Sequence, residues 1–111
     1  MEMNVKFAPE TLDYLEYLVT VLYQKEYFGW LDTSKKYVDG LIDDIENNLP
    51  IKQHNPAPKY FDKYGKGLYY ASFNKNKQTT WYAFFNKYEA NKEIIYLIRY
   101  IANNHTAAQY L

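Results

Sequence analysis

The apolar residues of this chain change their spacing near Pro50, and that change limits the folds open to it. Before Pro50, apolar residues recur every three or four positions, as on the buried side of an amphipathic helix. After residue 67, they alternate with polar residues or form short continuous runs, a pattern typical of strands. Helices followed by grouped strands predict an α+β domain.

Two helices and one short strand are predicted in the first half of the chain. Residues 4–8 alternate like a strand, and Pro9 suits the first position of a helix that is expected to stop at Gly29. A second helix is predicted from the capping residues 32–34 to Pro50. The apolar side chains that define one side of this helical hairpin are Leu12, Leu15, Val19, Leu22, Val38, Leu41, Ile42, Ile45 and Leu49.

Three strands are predicted in the second half, over residues 68–74, 79–85 and 93–101. Turns are expected over residues 74–78 and 86–92. The order β-α-α-β-β-β predicts a single domain, residues 1–111, in which the helical hairpin packs on one face of a four-stranded antiparallel sheet. The other face of the sheet is then available for function.

The remaining segments have weaker patterns. Residues 51–66 contain two prolines and several lysines, and they are interpreted as a loop or an irregular approach to the sheet. Residues 102–111 are polar and then mildly helical.

Several classes of protein do not fit the sequence. The absence of cysteine excludes disulfide scaffolds, thiolate zinc sites and cysteine nucleophiles. The four glycines do not form a phosphate-binding loop, neither serine lies in a nucleophile elbow, and no cofactor is expected. The longest apolar runs, residues 81–85 and 94–98, are far shorter than the roughly 20 residues that span a bilayer. A cytoplasmic protein without a signal peptide or a membrane partner is therefore expected.

Charge and tyrosine are unevenly distributed along the chain. Residues 1–50 carry four lysines and ten acidic residues, whereas residues 51–111 carry nine basic and three acidic residues. Nine of the 14 tyrosines also follow residue 59. Tyrosine beside lysine suits nucleic acid, because rings stack on bases while ammonium groups meet phosphates. The same composition suits a packed core or a protein interface, so all three remain open.

The basic second half supplies the candidate site residues. Metal-free RNA cleavage needs a cation for the phosphate and groups that move protons. We expect Arg99 to hold the phosphate and His105 to move a proton, with Tyr110 nearby; an ion pair, a helix cap and simple packing are their structural alternatives. Tyr69 or Tyr70, Tyr82, Tyr96 and Tyr100 are expected to line the same surface. The candidate nucleic-acid-binding residues are Lys59, Lys63, Lys66, Tyr70, Lys75 and Lys77.

The element order and two sequence stretches resemble the RelE/ParE superfamily of toxins from type II toxin–antitoxin systems. The stretches are TTWYAFF at residues 79–85 and IIYLIRYIANNHTAA at residues 94–108. The resemblance implies a small bacterial toxin that is neutralised by a cognate antitoxin protein. RelE-like members cleave messenger RNA in the ribosome, and ParE-like members inhibit DNA gyrase.

The resemblance also implies where a site would lie. Arg99, His105 and Tyr110 can stand for the basic, histidine and aromatic residues that RelE-like toxins carry near the C-terminus. Strand positions that are usually basic in these toxins are Tyr70, Ser72 and Thr80 in this chain. A ribosome-dependent endoribonuclease, a gyrase inhibitor and a non-catalytic protein-binding module with the same fold are therefore all carried forward.

Overall fold

The structure, a computed structural model, describes residues 1–24 and 31–111. Its elements are β1 (Glu2–Phe7), α1 (Pro9–Gln24), α2 (Leu31–Asn48), β2 (Asn55–Pro56), β3 (Tyr69–Asn74), β4 (Thr80–Ala90), β5 (Glu93–Asn103) and α3 (Asn104–Ala107). Short 3₁₀ helices cover Leu49–Ile51, Lys59–Tyr64 and Ala108–Tyr110. The predicted α+β class is confirmed, and the predicted stop of the first helix at Gly29 lies outside the described residues.

The strands form one mixed sheet in the order β1-β5-β4-β3-β2. β1 runs parallel to β5, whereas the other pairs are antiparallel. The prediction of four antiparallel strands therefore differs from the structure in two details. Short turns force antiparallel pairing of β3, β4 and β5, but the long connection between β1 and β5 leaves the direction of β1 open. The fifth strand, β2, lies within the predicted loop, and its Pro56 is tolerated at the sheet edge.

The hairpin between β4 and β5 is longer than predicted. Residues 86–90, predicted as part of a turn, continue β4, and only Asn91 and Lys92 connect the two strands. Both of these residues have positive φ, 49° and 63°. Two-residue hairpin turns favour this left-handed backbone because it matches the twist of the flanking strands.

The helical hairpin covers one face of the sheet, as predicted. Leu12 was expected on the buried side of α1 but is 50% exposed, and Thr11 occupies the buried position instead. No helix within residues 1–24 and 31–111 is long and apolar enough to cross a membrane. The main core, between the helices and the sheet, contains Leu15, Leu18, Val38, Leu41, Ile45, Leu49, Ala71, Phe73, Trp81, Ala83, Phe85, Ile94, Tyr96, Ile98 and Ile101.

Candidate functional site

A second apolar cluster lies on the sheet face opposite the helices. Side chains alternate along a strand, so Tyr82 and Phe84 of β4 face away from the main core that Trp81 and Phe85 enter. The buried members of this second cluster are Phe61, Leu68, Phe84, Ala102 and Ala107. Together with the partly buried Tyr64, Tyr70, Tyr82 and Tyr100 and the exposed Tyr60 and Tyr110, they form what we call the tyrosine face.

Two parallel tyrosine pairs stand at the edge of the tyrosine face. The rings of Tyr60 and Tyr110 stack with centroids 3.6 Å apart and planes within 3°. Those of Tyr64 and Tyr100 stack at 3.7 Å and 5°. The 3₁₀ helix Lys59–Tyr64 supplies one ring to each pair and anchors itself through Phe61, which stacks on Phe84 at 4.4 Å. One short helix thus positions both pairs.

Lys63 places a positive charge among these rings. Its Nζ lies 4.0 Å from the ring centroid of Tyr60 and 5.5 Å from that of Tyr64. Hydrogen bonds from Lys63 and Tyr110 lower the pKa of Tyr60, and the same contact with Tyr60 raises the pKa of Lys63. Donation to Tyr60 raises the pKa of Tyr110. The exposed end of the tyrosine face therefore brings two phenols and one ammonium together.

Burial affects the second pair, Tyr64 and Tyr100, which we call the inner pair. Tyr100 is partly buried, and desolvation, followed by its hydrogen bond with Tyr64, raises the pKa of Tyr100. A phenol with a raised pKa holds its proton at neutral pH and cannot serve as a base there. Tyr100 is therefore suited to packing and hydrogen-bond donation.

Arg99 occupies an irregular position in β5. Phe84 pairs with Tyr100 and Phe85 with Ile98, so Arg99 is the extra residue of a β-bulge. Its Nη1 donates to Oδ1 of Asn86 at 3.3 Å, and its Nε lies 3.6 Å from a carboxylate oxygen of Glu10. The structural alternative for Arg99 was an ion pair across strands or with a partner; the structure shows an ion pair, with Glu10 of α1 in the same chain.

The bulge beside Arg99 is held by α1. The carbonyl oxygen of Ile98 accepts hydrogen bonds from the backbone N–H of Ala8 and from the hydroxyl of Thr11, each 2.9 Å long. Because Thr11 is 1% exposed, this hydroxyl satisfies a polar group within the fold.

His105 lies in the first turn of α3. Oδ1 of Asn103 accepts from the backbone N–H of His105 at 3.0 Å and from the Thr106 hydroxyl at 2.9 Å, which is an N-cap. The His105 side chain borders a cavity that Leu18 and Trp81 also line, on the helix-covered side of the sheet. Arg99, His105 and Tyr110 therefore contact three different sets of residues.

The candidate lysines also separate. Lys63 belongs to the tyrosine face, and Lys59 is exposed in the same 3₁₀ helix. The backbone oxygen of Lys66 accepts from Asn86, the residue that also contacts Arg99. Lys75 lies 5.6 Å from the ring of Tyr37 in α2, away from the tyrosine face, and Lys77 is exposed in the turn before β4.

The tyrosines fit the expected surface in part. Tyr70 lies on the tyrosine face, 6.0 Å from Tyr82 and 5.6 Å from Phe84 between ring centroids. Tyr96 was expected there, but it is 2% exposed in the main core. It lies on the same face of β5 as Ile94 and Ile98, which the helices cover. Sequence reasoning missed Tyr60 and Tyr64, which lay in the predicted loop; their four-residue spacing around Phe61 was the available signal.

The described residues also limit other chemistry. Within residues 1–24 and 31–111, no three histidine, aspartate or glutamate side chains are placed to share a metal ion. Within the described residues, the features available for function are the tyrosine face, the Arg99 bulge, the cavity beside His105 and an open groove between α1 and α2.

Comparisons with known proteins add little. No protein-family model matches the chain, and no solved structure matches it significantly. A glucan endo-1,3-beta-D-glucosidase of the fungus Arthroderma benhamiae is 35% identical over 57 residues, which is 47% of this chain and 6% of the fungal protein. The chain thus spans a very small part of that relative's length, and a match of this extent assigns no family to it.

Proposed function

We propose that this protein is a RelE/ParE-type toxin that contacts RNA through the tyrosine face. The observation that carries the proposal is the stacked pair of Tyr60 and Tyr110 with the Lys63 ammonium over one ring, on the sheet face that the helices leave open. The resemblance of residues 79–85 and 94–108 to RelE-like toxins supports messenger RNA in the ribosome as the cytoplasmic target.

The tyrosine face fits a single-stranded nucleic acid better than a duplex. Tyr60 and Tyr110 are 40% and 39% exposed, so the pair presents aromatic surface to solvent. Aromatic stacking contributes about 1–3 kcal/mol per base and requires bases that are not already stacked in a duplex. Lys63 and the exposed Lys59 supply cations beside the rings for the phosphates.

The geometry supports RNA binding more directly than RNA cleavage. Cleavage would require Arg99, His105 and Tyr110 to reach one phosphodiester, and each of them contacts different neighbours in the structure. Arg99 would have to exchange Glu10 for a phosphate. The roles expected for Arg99 and His105 in cleavage therefore stay predictions, and binding through the tyrosine face is the proposal.

A second observation supports a protein partner. A groove of about 690 Å³ lies between α1 and α2, and Leu12 and Leu31 are half exposed in it. The charged residues that line it within 1–24 and 31–111 are Glu16, Asp32, Asp39 and Lys35. Charge complementarity favours a partner segment with apolar and basic side chains. We propose this groove as the contact for the antitoxin, or for the partner of a non-catalytic module.

The first experiment measures RNA binding. Fluorescence anisotropy with a short labelled single-stranded RNA, its duplex and the matching DNA is expected to show tightest binding to the single strands, weakening as salt increases. The Lys63→Ala variant should reduce the slope of log affinity against log salt by about 0.7, the value for one lost contact to a single strand. The matched Lys36→Ala variant, on an exposed position of α2, should leave the slope unchanged. Salt-independent binding, or equal slopes for the two variants, would refute RNA binding at this face.

The second experiment separates the activities within the superfamily. The protein is expressed alone and together with the product of the adjacent gene, while growth, messenger RNA integrity and plasmid supercoiling are followed. Growth arrest with messenger RNA cleavage supports the RelE-like activity, and growth arrest with altered supercoiling supports the ParE-like one. Unimpaired growth would count against a toxin and favour the protein-binding module.

A further inference from the structure

A second site candidate lies apart from the tyrosine face, in the cavity that His105 borders. The cavity has a volume of about 460 Å³ and lies between α1, α2, the β3–β4 turn and α3. Small-molecule sites are commonly about 300–1,000 Å³ and carry an apolar wall with a few polar groups. This cavity has both parts.

One wall of the cavity is aromatic and aliphatic. Tyr14, Tyr37 and Trp81 line it together with leucine and valine side chains of α1. The Trp81 indole Nε1 donates to the Tyr37 hydroxyl at 2.8 Å, and the two rings meet edge to face with centroids 6.5 Å apart. This hydrogen bond fixes both rings, so the aromatic wall is formed before a ligand binds.

The opposite end of the cavity is polar but uncharged. Asn76, Thr79, Asn103 and Thr106 line it next to His105, and among the lining residues within 1–24 and 31–111 there is no aspartate, glutamate, lysine or arginine. A charged ligand would lose hydration here, and these lining residues include no carboxylate, lysine or arginine to pair with it. The lining therefore favours a neutral ligand.

The hydrogen bonds at this end determine what it offers a ligand. Oδ1 of Asn76 accepts from the backbone N–H groups of Gln78 and Thr79 at 2.8 and 2.9 Å. Oδ1 of Asn103 likewise accepts from His105 and Thr106. A backbone N–H cannot donate to an amide nitrogen, so both amides are fixed with their oxygens towards the protein. What each amide can offer a ligand is its NH₂ donor.

The polar end is also held in position as a unit. The side chain of Asn104 donates to the backbone oxygen of Gln78 at 3.1 Å and accepts from the backbone N–H of Thr80 at 3.1 Å. These two bonds tie α3 to the β3–β4 turn, so the two cavity asparagines keep their spacing. A site with fixed donors binds with less loss of conformational freedom than one that must be ordered.

We propose that this cavity binds a nucleobase or nucleoside: a neutral, planar heteroaromatic compound with carbonyl or ring-nitrogen acceptors on its edge. The ring lies against Tyr14, Tyr37 and Trp81, and its acceptors meet the amide NH₂ groups of Asn76 and Asn103. The cavity is separate from the tyrosine face, so the ligand binds whether or not the tyrosine face binds RNA.

Substitution of the asparagines by aspartate tests the donor pattern. In Asn76→Asp and Asn103→Asp, a carboxylate oxygen still accepts the turn and cap hydrogen bonds, but the NH₂ donor becomes an acceptor. We expect each substitution to weaken uridine binding at least about 10-fold, the cost of losing roughly one good hydrogen bond. The matched Asn55→Asp variant introduces the same charge in β2 and should bind like the original protein.

The measurement is the chemical shift of the Trp81 indole N–H during titration with uridine, adenosine, toluene and a short single-stranded RNA. Saturable shifts with a nucleoside and none with toluene support the proposal. It is overturned if no nucleoside gives a saturable shift, if toluene binds as well, or if the two aspartate variants bind like the original. A shift caused only by RNA and lost in Tyr110→Ala would also overturn it, because that ligand occupies the tyrosine face.

A cavity-filling variant keeps the test independent of the aspartates. Val21→Trp, at a partly buried position of the cavity wall, should abolish nucleoside binding while thermal unfolding shows a folded protein. Undiminished binding in folded Val21→Trp would place the ligand elsewhere and refute the site.

Discussion

Phe84 and Phe85 are neighbours in β4 and both are fully buried, yet they belong to opposite faces of the sheet. Phe85 enters a large core closed by two helices, whereas Phe84 lies under one 3₁₀ helix and a ring of tyrosines. The first face is covered by long amphipathic elements, and the second keeps aromatic rings and hydroxyls within reach of solvent. One set of strands thus carries a helix-covered core on one face and a partly exposed aromatic surface on the other.

The largest expected effect is the loss of Phe85. Its ring contacts His54 at 4.9 Å and Tyr96 at 5.7 Å between centroids, within the main core. Phe85→Ala should reduce the free energy of unfolding by about 3–5 kcal/mol, since it removes a buried ring and leaves a cavity. Urea unfolding followed by circular dichroism measures this loss. If Phe84→Ala is more destabilising than Phe85→Ala, the helix-covered face is not the main source of stability.

The tyrosine face should give the opposite pattern, with a large effect on binding and a small one on stability. Tyr110→Ala removes the outer ring of the Tyr60 pair and should weaken single-stranded RNA binding about 5–150-fold, the equivalent of about 1–3 kcal/mol. The exposed position 17 in α1 provides the matched control, Tyr17→Ala. Equal RNA affinities of the two variants by anisotropy would remove the stacked pair from the binding surface.

The inner tyrosine pair, Tyr64 and Tyr100, makes the stability of the fold depend on pH. Burial raises the pKa of Tyr100 above the value near 10 that an unfolded chain has. Above about pH 10 the unfolded state therefore binds fewer protons than the folded one, and the free energy of unfolding falls as pH rises. Below about pH 10, Tyr100 is protonated in both states and adds no pH dependence to the stability. Tyr100→Phe should make the loss of stability between pH 10 and 11 shallower, measured by urea unfolding.

Tyr17→Phe serves as the control for that pH series, because it removes an exposed hydroxyl from α1. Part of the slope should remain in Tyr100→Phe, since burial also raises the pKa of Tyr14. An unchanged slope in Tyr100→Phe would mean that its hydroxyl is not desolvated in the fold.

The helix-covered face was largely predictable from the sequence, and the tyrosine face was not. Periodic leucines and continuous strand runs define the main core because burial of a helix or strand face imposes a repeat. Tyr60 and Tyr64 lie in a 3₁₀ helix of six residues, too short for such a repeat, next to two prolines. Their partners Tyr100 and Tyr110 are distant in sequence, so stacking could not be deduced.

The directions and lengths of the strands were harder to predict than their existence. Nothing in residues 4–8 distinguishes a parallel from an antiparallel partner, because β1 reaches β5 through a long connection. The ion pair of Arg99 depends on a bulge that brings β5 beside α1, a register detail without a sequence signal. His105 was predicted to be a site residue from its residue type alone. The residues around it could not be predicted, because α1, α2 and the β3–β4 turn are distant from it in sequence.

The smallest effect is expected at His105, which lies in α3, directly after β5. The cap at Asn103 uses the backbone N–H of His105, so His105→Ala keeps that bond and should change the free energy of unfolding by less than about 1 kcal/mol. Asn103→Ala removes the accepting oxygen and should reduce the free energy of unfolding by about 1 kcal/mol.

A proton-transferring histidine would instead contribute about 10²–10⁴-fold to RNA cleavage. If His105 is only structural, growth arrest should persist in His105→Ala, measured together with its melting temperature; the position of His105 beside the cavity and not in the tyrosine face favours this outcome. Loss of growth arrest in a folded His105→Ala protein would restore His105 as a catalytic residue and place the reacting phosphate on the helix-covered side of the sheet.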